Sequence, residues 1–233
     1  RVLAELGAET LVSGVACRPG HPMLLAVLPD GRCVVGLPGN PFAALAAVSI
    51  SAAAAINRKR SEFEIAVNLS ARLLTDRGFT LRVSALLARH GLQPDHLTLE
   101  LTETAALSGS GEGLDMIARL RELGVRISID DYGTGLSTLD YLKKIPANEI
   151  KIDQSFVKGM VDNRSDRLMV QSTIGLAHSL GRKVVAEGVE QREILDLLVE
   201  MECDIAQGFS IGRPMSLESL AKRLASDRKR NVA

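Results

Sequence analysis

From residue 61 onward, short apolar runs alternate with amphipathic stretches. Runs such as Glu64-Ile65-Ala66-Val67 and Val125-Arg126-Ile127-Ser128-Ile129 have the length and composition of strands. They predict strands at residues 63–67, 97–101, 126–129, 149–152 and 183–186, and a short one at 203–205. Between them the apolar positions recur at helical spacing. Ile194, Leu197, Leu198 and Met201 fall at i, i+3, i+4 and i+7. The predicted helices are residues 71–90, 112–123, 136–143, 164–180, 191–201 and 217–226. Strand and helix in alternation predict an α/β fold on a parallel sheet. Polar residues at the ends of several such strands predict a site at the mouth of a barrel.

Residues 1–60 follow another pattern. They hold five of the eight prolines and two of the three cysteines. Short strands are expected at residues 10–17, 23–28 and 32–37. Pro29-Asp30-Gly31 is a turn signal that would make the last two a hairpin. In Pro38-Gly39-Asn40-Pro41, Asn40 suits an N-cap and Pro41 the first helical position. An alanine-rich helix follows, ending near Asn57, with Arg58-Lys59-Arg60 where cations complement its dipole. The uncharged run from Phe42 to Ile56 is shorter than the roughly 18–20 residues that cross a bilayer. It reads as a buried helix and not as a membrane segment. The chain thus divides into residues 1–60, 61–226 and a charged tail, 227–233.

Composition narrows the functions. Of 233 residues, 28 are basic and 28 acidic, a balance that gives no support to DNA or RNA binding. Aromatic residues make up only 3%, so there is little for nucleic-acid bases to stack on. Cys17, Cys33 and Cys203 are too scattered for a disulfide framework or a zinc site, which suits a reducing cytoplasm. The chain begins at Arg1, not Met, which suits a piece of a longer protein, and no targeting is read from its first residues.

The candidate chemistry sits at the strand ends: Asn68, Glu100, Asp130, Asp131, Lys151 and Glu187, roughly 20 to 36 residues apart from strand to strand. All but the lysine are oxygen donors, the preference of hard cations such as Mg²⁺ or Mn²⁺. None of the four histidines (His21, His90, His96, His178) joins them. Clustered carboxylates repel, so a cation must neutralise them or some must stay protonated. Two divalent ions sharing one carboxylate would do this and would activate a water for attack on a phosphodiester. Neighbours in a strand face opposite sides, so Asp131 joins Asp130 only if the chain turns there, which Gly133 and Gly135 permit. Taken singly, each strand-end acid is equally a helix cap or a surface charge, and Lys151 a solvated lysine. Their joint spacing is what argues for a site.

The motifs Asn68-Leu69-Ser70, Glu100-Leu101-Thr102-Glu103, Asp130-Asp131-Tyr132-Gly133-Thr134-Gly135, Lys151-Ile152-Asp153, Ala186-Glu187-Gly188-Val189-Glu190 and Gln207-Gly208-Phe209 resemble the EAL domain family over residues 62–225. The resemblance implies a (β/α) TIM-like barrel that hydrolyses cyclic di-GMP to pGpG with two Mg²⁺ or Mn²⁺ ions. By the same resemblance Asn68, Glu100 and Asp130 would hold one ion, and Asp130, Asp131 and Glu187 the other. Lys151 would position the attacking water, and Glu103 would anchor the loop running from Asp131 to Gly135. Gln207 and Asp153 would meet the substrate. The loop and helix after Asp131 would contribute to a homodimer.

The family's first strand, with its glutamate and a following arginine, has no clear counterpart. Glu9 in Glu9-Thr10-Leu11-Val12 stands at a tolerable distance before Asn68, but Ser13-Gly14 follows where the arginine belongs. Glu9 is therefore the weakest ligand candidate. Arg18-Pro19-Gly20-His21-Pro22 and Gly36-Leu37-Pro38-Gly39-Asn40-Pro41 resemble instead a C-terminal fragment of molybdopterin molybdotransferases of the MoeA type. The expected fold is thus a TIM-like barrel, incomplete at its N-terminal strand, preceded by a small β-rich segment and the alanine-rich helix, as in a chimeric chain. The leading function is a weakened or inactive cyclic di-GMP phosphodiesterase-type domain. A non-catalytic cyclic di-GMP-binding or partner-binding module and a molybdenum-cofactor fragment are the alternatives. One strand from residues 10–37 is expected to fill the barrel's gap. Failing that, apolar residues near Leu69 should lie exposed.

Overall fold

The computed structural model describes residues 9–15, 23–27, 33–36, 64–107, 111–135, 139–213 and 219. The alanine-rich run, most of the predicted helix at 217–226 and the charged tail lie outside the described residues.

Three N-terminal strands, β1 (Glu9–Val15), β2 (Met23–Val27) and β3 (Cys33–Gly36), form an antiparallel sheet in the order β1-β2-β3. Val27 pairs with Cys33, as a hairpin requires.

The second sheet is parallel and takes its strands in sequence order. They are β4 (Ile65–Asn68), β5 (Leu97–Thr102), β6 (Arg126–Tyr132), β7 (Glu149–Ile152), β8 (Lys183–Glu187) and β9 (Ile205–Gln207). Helices connect them: α1 (Phe79–His90), α2 (Glu103–Leu107), α3 (Gly111–Glu122), α4 (Leu139–Lys144), α5 (Gln154–Gly159), α6 (Arg164–Ser179) and α7 (Arg192–Glu200). The result is a curled α/β half-barrel.

Alternation along these strands explains the layering. Leu99, Leu101, Ile127, Ile129, Ile150, Ile152, Val184 and Ala186 are all 1% exposed or less and join the helices in one core cluster. Burying each of these leucine, isoleucine and valine side chains is worth about 1.5–3 kcal/mol. The intervening residues point to the opposite face of the sheet. There Thr98, Glu100, Ser128, Asp130, Glu149, Lys151, Val185 and Glu187 line the concave side. The helix layer is therefore aliphatic and the barrel interior is polar.

Three expectations change. The helix predicted at 71–90 is split into a 3₁₀ turn, Ala71–Thr75, and α1. Asp76 is the cause: its Oδ1 accepts from Gly78 N at 3.0 Å, an Asx turn that diverts the backbone. Second, none of the described strands from residues 10–37 fills the barrel gap, because β1, β2 and β3 pair with one another. Among the described residues β4 is paired on one side only. Third, Leu69 is nevertheless only 4% exposed. Its N–H donates to Glu100 O at 2.6 Å and its side chain joins the core cluster.

Candidate active site at the strand ends

Register brings the polar residues to one rim. Asn68 stands opposite Glu100, Thr102 opposite Asp130 and Glu187 opposite Gln207. Partners in a parallel ladder project to the same face of the sheet.

Lys151 is the hub. Its Nζ donates to Glu187 Oε1 at 2.7 Å, to Glu100 Oε1 at 2.9 Å and to Asp130 Oδ1 at 2.9 Å, with only 5% of the side chain exposed. Three strands besides its own thus contribute one carboxylate each. Burial works against the ammonium, but its bonds to Glu187, Glu100 and Asp130 outweigh that and raise its pKa well above the ordinary lysine range.

Asp131 reaches the same place by a break in the ladder. Ile129 pairs with Ile150 and Tyr132 with Ile152, so Asp130 and Asp131 together oppose the single residue Lys151. This bulge suspends the alternation that would send neighbours to opposite faces. Asp131 takes a left-handed conformation, φ 55°, tolerated by aspartate better than by most residues. One oxygen each from Asp130, Asp131 and Glu187 lies within 4.8 Å of the others.

The loop beyond is held from two directions. Glu103, 3% exposed, accepts from Gly133 N at 3.0 Å and Gly135 N at 3.3 Å through Oε2. Gly133 has φ 102°, and a Cβ there would lie 2.9 Å from both Phe156 Cε2 and Met169 Cε. Asp153 caps α5, its Oδ1 accepting from Ser155 N at 2.9 Å. Gln207 is exposed at the end of β9. Its carbonyl accepts from Val189 N at 3.0 Å, which ties β9 to the turn after Glu187. Glu9 opens β1, opposite Val27, and belongs to the antiparallel sheet. The residue that sequence reasoning passed over is Phe156. Its signal was a lone aromatic three residues beyond Asp153, in a chain with only five phenylalanines.

Electrostatics show what the cluster lacks. Burial pushes the carboxyls of Glu100 and Glu187 above the ordinary range, and Lys151 offsets this only in part. Asp131 is raised by burial and then by its neighbours Asp130 and Asp153. Three carboxylates share one ammonium and Asp131 adds a fourth beside them, so negative charge is in surplus. A hard divalent cation fits this donor set: every ligand atom is oxygen, and the surplus charge is what such an ion neutralises.

Comparison with known proteins agrees with this chemistry. The family model described as "EAL domain" matches residues 43–214, beginning within the alanine-rich run. The chain is 41% identical over 165 residues to the bifunctional diguanylate cyclase/cyclic di-GMP phosphodiesterase MucR of Pseudomonas aeruginosa. That alignment takes in 71% of this chain and 24% of the relative, so the chain spans about a quarter of that protein's length. Among solved structures, the c-di-GMP complex of PaMucR phosphodiesterase superposes with TM-score 0.72 at 34% identity, covering 85% of each chain. The EAL domain of Mycobacterium smegmatis DcpA gives TM-score 0.78 at 29% identity, covering 83% of this chain and 89% of that one. The molybdotransferase resemblance of residues 1–50 has no counterpart among these matches.

Proposed function

Because this chain belongs to the EAL domain family, we propose that its barrel rim binds cyclic di-GMP with two Mg²⁺ or Mn²⁺ ions and hydrolyses it slowly to pGpG. The observation that carries this reading is the convergence of Glu100, Asp130 and Glu187 on one buried ammonium, with Asp131 beside them. Asn68, Glu100 and Asp130 would hold one ion, and Asp130, Asp131 and Glu187 the other. Bound there, such ions supply Lewis acidity to the phosphodiester and acidity to a water.

The chain's own groups do the rest. Lys151 donates to the attacking water and steadies the negative charge that builds on the phosphoryl oxygens. Water oxygen bonds to phosphorus, the P–O3′ bond breaks, and the departing ribose oxygen takes up the proton. Glu103 holds the Asp131 loop in place through two backbone N–H groups. Gln207 and Asp153 flank the nucleotide. The loop and helix after Asp131 provide a homodimer contact, and the reaction belongs in the cytoplasm. Among the described residues no helix is long and apolar enough to cross a membrane.

Turnover is slow because the sequence offers no clear counterpart to the family's first-strand glutamate and the arginine after it. Loss of one ligand from a two-metal site costs several kcal/mol of transition-state stabilisation, and so orders of magnitude in rate. That same missing ligand favours a second reading, a receptor that binds cyclic di-GMP without cleaving it. Radiolabelled cyclic di-GMP with Mn²⁺ tests both. We expect pGpG above the enzyme-free blank, and its loss in Glu100→Ala. Binding without any pGpG would establish the receptor reading instead. Neither binding nor turnover would refute both.

A further inference from the structure

We propose that Phe156 is a positioning residue for Asp131, acting through Gly133 as a platform beneath the loop. The inference rests on the reading of Asp131 as a metal ligand and adds a residue outside the carboxylate cluster.

The geometry is a clamp with two jaws. One is Glu103, which pulls on Gly133 N and Gly135 N. The other is the ring of Phe156 with the methyl of Met169, both so close to Gly133 that a Cβ there would lie 2.9 Å from each and one of them would have to shift. A carboxylate draws the loop toward itself but does not set how far the loop settles toward the helices. A ring in van der Waals contact does, because repulsion rises steeply inside that distance. Gly133 lies two residues past Asp131, whose left-handed backbone is thereby confined between the bulge on one side and the clamped glycine on the other.

The platform is itself held firmly. Helix α5 starts directly after β7, the strand of Lys151, and is capped by Asp153. Phe156 N donates to Asp153 O at 3.2 Å. Val157 and Met160 are fully buried below the helix. Arg167, from α6, donates through Nε to Met160 O at 2.9 Å and through Nη2 to Val161 O at 2.7 Å, which fixes α6, and so Met169, against α5. The β6–β7 ladder fixes Tyr132 against Ile152, and Phe156 supports the chain where it leaves that ladder, at Gly133. Truncating the ring leaves Glu103 to pull on an unsupported loop, and Asp131 leaves its place beside Asp130 and Glu187.

Two measurements on the full chain test this. Hydrogen exchange of the metal-free protein compares amides 131–135 with those of β8. Phe156→Ala should speed the loop amides about tenfold and leave β8 at wild-type rates. Mn²⁺ titration then supplies a double-mutant cycle with Asp131→Asn. Phe156→Ala alone should weaken Mn²⁺ about tenfold, and in the Asp131→Asn background it should add nothing. Phe156→Leu and Met169→Ala should give smaller changes of the same kind, and they carry the test if Phe156→Ala does not fold. Unchanged loop exchange, equal acceleration in β8, or Mn²⁺ effects that multiply would each overturn the proposal. Failure of the wild-type chain to bind Mn²⁺ would instead refute the metal reading, while hydrogen exchange still decides the role of Phe156.

Discussion

Lys151→Met should make the metal-free protein about 3–5 kcal/mol less stable at neutral pH, the usual effect of removing one partner from a buried ion cluster. Urea unfolding in EDTA measures it. Three carboxylates now share the Lys151 ammonium, and methionine fills the space without supplying charge. The deficit depends on pH in a definite sense. Glu100 and Glu187 already have raised pKa values in the folded protein, so folding there favours their protonated forms. Their contribution is fully present below the unfolded carboxylate pKa and is lost as pH rises through the raised folded values. Lys151 restrains that rise, and its removal extends it. The gap between variant and wild type should therefore be small near pH 4 and widen toward pH 7. Mn²⁺ should narrow it again by replacing the missing positive charge. Turnover should fall by roughly a hundredfold or more, since the group that steadies the attacking water and the phosphoryl charge is gone. A Lys151→Met protein as stable as wild type in EDTA at pH 7 would contradict this account of the cluster.

Gly208→Ala should lower stability by about 2–3 kcal/mol, or roughly 5–10 °C in Tm for a chain of this size. An added Cβ would sit 2.3 Å from both the N and O of Val189, atoms of the backbone that cannot rotate away. Val189 N donates to Gln207 O at 3.0 Å, and Val189 O accepts from Ser210 N at 3.0 Å and from Ser210 Oγ at 2.7 Å. The substitution must pry this junction open and carry Gln207 away from Glu187. Affinity for cyclic di-GMP should fall with stability. Gly175→Ala, in α6 with nothing within 4 Å of its added carbon, is the control and should be neutral or slightly stabilising. Equal Tm losses in the two variants would show that the close approach at Gly208 does not constrain the fold.

The parallel strands were legible because β-branched runs punctuated by polar ends survive without any tertiary information. The strand predicted at 149–152 matches β7 to the residue, and 126–129 falls three residues short of β6. That shortfall is informative, since the missing residues are Asp130, Asp131 and Tyr132, whose charge and glycine-rich sequel read as a loop. The sequence suggested that Asp131 could turn inward with that loop. It did not show that a bulge opposite Lys151 accomplishes this, because a bulge is a property of two strands together. Helices α2 and α5 escaped notice because five or six residues are too few to display a period. The expected gap-filling strand failed for a similar reason. The strand character of β1, β2 and β3 was readable, but the choice of partner depends on turns and register, and here they chose one another. Glu103 stood out through its family motif, whereas Phe156 did not, because its importance lies in what it touches.

The central claim is that oxygen atoms from separate strands gather around divalent ions. Anomalous scattering from crystals grown with Mn²⁺ tests it most directly. The account predicts manganese peaks in contact with Asp130, one shared with Asp131 and Glu187 and another with Asn68 and Glu100. No peak at this rim, or manganese bound elsewhere while Asp130 stays paired with Lys151 alone, would contradict it.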